Sequence, residues 1–85
     1  MNQRVNLGKA LPKAYESMLQ LDAQAMEAAQ AAGWAKGFCH LLKLRASQIN
    51  QCAFCLRMHA RDAVAAGESA DRLSVLPAWR ETGYF

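Results

Sequence analysis

The apolar positions of this chain recur at helical spacing. Behind a polar stretch over residues 1 to 10, Tyr15, Met18, Leu19, Ala25, Met26 and Ala29 fall near one face. Pro12 stands where a helix takes its first-turn proline, and Gly33 is a natural stop. The pattern predicts a helix over residues 12 to 32, preceded by a loosely ordered arm over residues 1 to 11. A second stripe, Trp34, Phe38, Leu41 and Leu42, predicts a helix over residues 34 to 46, with Trp34 and Phe38 packed in the core. Residues 47 to 51 break the pattern, and Ser47 and Asn50 are good N-cap residues. A third helix is expected over residues 52 to 66, closed by Gly67. Ser69 can cap a short fourth helix over residues 70 to 76. Pro77 interrupts it, residues 78 to 81 add a turn, and the aromatic pair Tyr84 and Phe85 is expected to dock on a surface.

Composition supports helices over sheet. The 85 residues include 17 Ala and 10 Leu, against five β-branched residues: Val5, Ile49, Val64, Val75 and Thr82. The expected fold is an all-α bundle of three to four helices, forming one domain over residues 12 to 85. A chain this short buries too little surface to be comfortable alone, so completion by homo-oligomerisation is expected. Net charge is +3, but the basic residues are scattered, which argues against a nucleic-acid footprint. No stretch approaches the roughly 18 apolar residues of a membrane span, and no secretory signal is read at the N-terminus. Three cysteines is an odd number for a disulfide-stapled secreted domain. A reducing cytoplasm is the expected setting, where a close cysteine pair is catalytic or metal-binding.

The chemistry concentrates in Cys52-Ala53-Phe54-Cys55-Leu56-Arg57-Met58-His59. On a helix starting near Asn50 or Gln51, Cys52, Cys55 and His59 share one face. A thiolate near a helix N-terminus is stabilised by the dipole. The spacing lets the two sulfurs reach disulfide distance, and His59 can take a proton from Cys55 directly or through water. Arg45 and Arg57 are candidates to add positive potential. Spacing does not decide which cysteine attacks: the dipole favours Cys52, the neighbouring base favours Cys55. Cys55 is preferred, with Cys52 as its resolving partner. Cys39 and His40, thirteen and twelve residues before Cys52, can point back at this face from the second helix. A zinc set of Cys52, Cys55 and His59 with Cys39 or His40 is the metal alternative. It is disfavoured because three ligands along one continuous helix face converge poorly, so no metal is expected, and thiol chemistry at the pair needs no bound organic cofactor.

The run from Leu44 through Cys52, Cys55 and His59 to Ala63, with Gly67-Glu68 and Leu76-Pro77-Ala78-Trp79-Arg80-Glu81, resembles the alkylhydroperoxidase D-like branch of the carboxymuconolactone decarboxylase superfamily. The resemblance covers residues 38 to 81, and the first helix fits the lead-in helix of that family more loosely. It implies an all-α homo-oligomer that reduces hydroperoxides with thiols. It assigns attack on the peroxide to Cys55, resolution of the sulfenic acid to Cys52, and the proton relay to His59. The partners it implies are a hydroperoxide and a dithiol reductant of the lipoyl type or another thiol donor. Two positions depart from the pattern. A glutamate common in the family is His40 here, which can still shuttle protons. The usual glycine before the first cysteine is Gln51. The family domain also continues with further helices beyond the tryptophan segment. The rival to an enzyme is a non-enzymatic helical oligomerisation or redox-sensing module. Decarboxylation, the chemistry of another branch, does not rely on a Cys-x-x-Cys.

Overall fold

A computed structural model describes residues 5–85; residues 1–4, the start of the expected arm, lie outside the described residues. Every regular element among the described residues is helical. They are α1 (Leu7–Ala10), α2 (Pro12–Ala31), α3 (Lys36–Asn50), α4 (Ala53–Ala65), α5 (Ala70–Val75) and a 3₁₀ segment (Leu76–Glu81). The fold is all-α, as the composition and periodicity indicate. The chain divides into two units, one ending at Ala32 and one spanning Gly33–Phe85.

In the first unit, α1 forms inside the segment read as a loose arm. The Asn6 side-chain oxygen accepts a hydrogen bond from the Lys9 N–H at 3.2 Å, and this cap holds a single turn. Pro12 then opens α2 in its first turn, as expected. Gly33, at φ +98°, takes the left-handed backbone that lets the chain leave the helix. None of the α2 residues is buried. Met26 and Ala29 are half-buried, whereas Tyr15, Met18 and Leu19 stay exposed. The apolar face read from the sequence exists, but this chain leaves most of it in solvent.

In the second unit the boundaries move. Helix α3 starts at Lys36 and runs to Asn50, four residues beyond the predicted end. Ser47 and Asn50 are therefore not N-caps. Ser47 is buried inside α3 and its hydroxyl donates to the Lys43 carbonyl at 2.8 Å, which satisfies it within the helix. The helix stops one residue before the cysteine motif. The Cys52 N–H donates to the Ser47 carbonyl at 3.2 Å and the Gln51 N–H to the Gln48 carbonyl at 3.2 Å, with Gln51 at φ 54°, ψ 41°. These two bonds around a left-handed residue are the Schellman helix stop, where glycine is the usual occupant.

Gln51 thus carries the left-handed conformation at a Cβ-bearing residue. The Gln51→Gly variant is expected to be more stable by about 0.5–1 kcal/mol, because relief of the left-handed penalty exceeds the added unfolded-chain entropy. Urea denaturation of the two proteins measures it, and a less stable glycine variant contradicts the assignment.

Helices α3 and α4 form a hairpin across this turn. The start of α3 meets the end of α4 closely: a Cβ on Gly37 would lie 2.9 Å from Glu68 Cγ and 3.3 Å from the Ala66 carbonyl oxygen. The core is Leu41 and Leu44 from α3, Ala63 from α4 and Leu76, flanked by Phe38, Leu56, Ala60 and Leu73. Trp34 is not core: it precedes the first turn of α3 and is 49% exposed, its ring edge-on to Phe38 at 5.5 Å between centroids. Leu42 also faces out. Ser69 caps α5 as expected, its hydroxyl accepting from the Arg72 N–H at 3.2 Å. The expected docking of the terminal aromatics is only partial: Tyr84 is exposed, and Phe85, 43% exposed, places its ring 5.0 Å from the Arg72 guanidinium and lines an apolar groove with Phe38, Leu42 and Trp79. No described helix is long and apolar enough to cross a membrane.

Candidate functional site

Cys52 sits where two helices are joined. Its N–H closes the end of α3, and its side chain caps the start of α4 in extended backbone, φ −96°, ψ 100°. It lies just ahead of the helix rather than in its first turn. The Cys55 N–H donates to Cys52 Sγ at 3.3 Å. This hydrogen bond and the helix N-terminus both favour negative charge on Cys52 once it is a free thiol. The backbone on both sides of Cys52 is thereby fixed by hydrogen bonds.

Cys55 is one turn into α4, with its Cα 5.3 Å from that of Cys52, and the two are joined as a disulfide. Both are half-buried, so small molecules can reach the pair. Phe54, beside them, is 76% exposed. His59 follows Cys55 by one further turn of α4.

The structure adds a residue that the sequence reading missed. Asp62 is one turn beyond His59, and its Oδ2 lies 3.9 Å from His59 Nδ1. The same oxygen lies 4.0 Å from Nδ1 of His40, which comes from α3. His40, His59 and Asp62 each offer a ligand atom within 4.8 Å of the others. His40 is 9% exposed, and its Nδ1 has no hydrogen-bond partner. The hairpin therefore brings His40 back to the face of α4 that carries His59. It also places a carboxylate between the two imidazoles, although the residue at position 40 is itself a histidine. The only sequence signal for Asp62 was its spacing from His59, a weak one for an acidic residue on a polar face.

Of the other candidates, Cys39 is a buried free thiol on α3. Arg45 donates to the Gln48 side-chain oxygen at 3.1 Å, and Arg57 is exposed.

A cysteine pair at disulfide distance, followed on the same helix by a histidine and a carboxylate, makes a thiol-based redox site on an all-helical scaffold. The chain matches the carboxymuconolactone decarboxylase family over residues 12–83 and belongs to that family. Over 85 residues it is 32% identical to a protein of Bacillus subtilis (strain 168) that carries the name "Uncharacterized protein YdfG". The match takes in 100% of this chain and 55% of that relative, so the chain spans about half the relative's length.

Proposed function

We propose that this chain carries a peroxide-reducing dithiol site of the alkylhydroperoxidase D-like type. The observation that supports it most is the joined Cys52–Cys55 pair at the start of α4, with His59 one turn beyond Cys55. In this reading the Cys55 thiolate, formed by proton transfer to His59, attacks the terminal oxygen of an alkyl hydroperoxide. The S–O bond forms as the O–O bond breaks, and the departing alkoxide takes a proton to leave as the alcohol. The sulfur is oxidised to sulfenic acid as the peroxide is reduced by the same two electrons. Cys52 then attacks the Cys55 sulfur, hydroxide leaves and is protonated to water, and the disulfide results. The helix N-terminus favours the negative charge on Cys52 that this second attack requires.

A dithiol of the lipoyl type returns the pair to the reduced state by thiol–disulfide exchange, closing to its own disulfide. Asp62 orients His59 and balances the imidazolium, and His40 passes protons on toward solvent. The reading places the protein in a reducing cytoplasm as a homo-oligomer. The exposed apolar residues Tyr15, Met18, Leu19 and Leu21 on α2 support association of copies. The turnover test supplies reduced dihydrolipoamide and an organic hydroperoxide and follows both. Catalytic amounts of protein are expected to consume the two in equal molar amounts. Peroxide loss no faster than with dihydrolipoamide alone contradicts the proposal.

A further inference from the structure

We propose that His40, His59 and Asp62 also form a binding site for a divalent transition-metal ion of the zinc or cobalt type, whose occupation takes His59 out of the proton relay proposed above and so inhibits the dithiol reaction. The sequence reading expected no metal, and its rival zinc set drew on Cys52 and Cys55. Those two sulfurs are joined to each other in the structure. The groups that converge are two imidazoles and a carboxylate from two helices, a donor set with open positions that suits zinc, cobalt, nickel or ferrous iron. Two nitrogen donors disfavour calcium and magnesium, which take oxygen.

The geometry is close to what such an ion needs. Zinc bonds to imidazole nitrogen and carboxylate oxygen are about 2.0–2.2 Å, which sets neighbouring donors about 3.3 Å apart in a tetrahedral shell. Asp62 Oδ2 lies 4.0 Å from His40 Nδ1 and 3.9 Å from His59 Nδ1, and all three ligand atoms lie within 4.8 Å of one another, so side-chain adjustments of roughly 1–1.5 Å bring them to a common ion. The Asp62 side chain is 46% exposed and has the freedom to make that adjustment. His40 adds an independent observation: its Nδ1 is buried and faces Asp62 Oδ2 at 4.0 Å, beyond hydrogen-bond reach, so the nitrogen is available to an ion held between them. A cavity of about 250 Å³ lined by His40, Asp62, Lys36, Ala65 and Ala66 opens beside the pair. It provides the entry path and room for the water ligands of an open shell. Lys36 is exposed, so its long stem can carry the ammonium into water and away from a cation.

The site is tested on the oxidised protein, where the disulfide removes the competing thiolates of Cys52 and Cys55. Cobalt(II) is titrated in and followed by its visible absorption, and zinc(II) is then used to displace it. One cobalt per chain is expected, with nitrogen and oxygen spectra and no thiolate-to-metal charge-transfer band. Loss of outer-sphere partners alone weakens metal sites about 10–100-fold, so Asp62→Asn and His40→Asn should each weaken binding by at least about tenfold. Should His40→Asn lose helix, Asp62→Asn still tests the site: its side chain is 46% exposed, so the fold is expected to survive, and circular dichroism checks this. Absence of binding by the oxidised protein overturns the site, as does an affinity unchanged in Asp62→Asn. Binding that appears only after reduction, with a thiolate band, also overturns it and assigns the ion to the cysteines.

Discussion

The Cys55→Ser variant is expected to consume no hydroperoxide and to keep its Cys52 thiol unoxidised after exposure to it. The serine hydroxyl fills nearly the same volume on the same turn of α4, so the helix and its Cys52 cap remain. What disappears is the sulfur that must accept oxygen. Cys52→Ser should behave differently: Cys55 still reacts once, and the chain stops at sulfenic acid for want of a resolving thiol. A sulfenic-acid trap with mass spectrometry separates the two outcomes. One trap adduct on Cys55 in Cys52→Ser, and none in Cys55→Ser, is the expected pair of results. The reverse pattern would assign the attack to Cys52, the sulfur that the helix N-terminus favours.

The second large effect is at His59. In His59→Ala the reaction of the reduced pair with hydroperoxide should slow by about 10²–10⁴-fold, the usual worth of a positioned proton acceptor. The cysteine geometry should survive, because Cys52 and Cys55 are held by backbone hydrogen bonds that do not involve His59. The oxidised variant should therefore still contain the Cys52–Cys55 disulfide when made with a strong thiol oxidant. Stopped-flow rates with a peroxide series measure the loss. An unchanged rate would remove His59 from the relay while leaving the dithiol chemistry in place.

Much of this arrangement was legible from residue types and spacing. Pro12, the alanine-rich run behind it and Gly33 define α2 to within a residue. Cys52, Cys55 and His59 mark the candidate face by their spacing, which also admits a metal set and a non-enzymatic module. The junction before them was misread for a physical reason. Ser47 and Asn50 have the chemistry of N-caps, but a serine that bonds back to the carbonyl four residues earlier is equally content inside a helix. Nothing local distinguishes the two uses. The true stop is Gln51, and glutamine gives no sign of a left-handed position that glycine would have announced.

Asp62 was invisible for another reason. Its meaning depends on His40, twenty-two residues earlier, arriving beside it when α3 folds against α4. In the sequence, His40 stands where the resemblance leads one to expect a glutamate, and it reads as a residue that can still shuttle protons. The structure shows a carboxylate there after all, from the opposite helix. Burial was the third failure of sequence pattern. The stripe on α2 is as periodic as the one on α3, yet Leu41 and Leu44 are buried and Tyr15 and Met18 are not. Periodicity states which face is apolar, and only packing states what covers it.

The central claim is that Cys52 and Cys55 react with hydroperoxide as a pair. It is tested most directly by a single turnover. Fully reduced protein, with three thiols per chain, is mixed with a small excess of an organic hydroperoxide and its thiols are counted over time. The account predicts rapid loss of two thiols, faster than free cysteine at the same pH. Peptide mapping should then find Cys52 linked to Cys55, with buried Cys39 still reduced. Thiols that vanish no faster than free cysteine, or a link that includes Cys39, would contradict it.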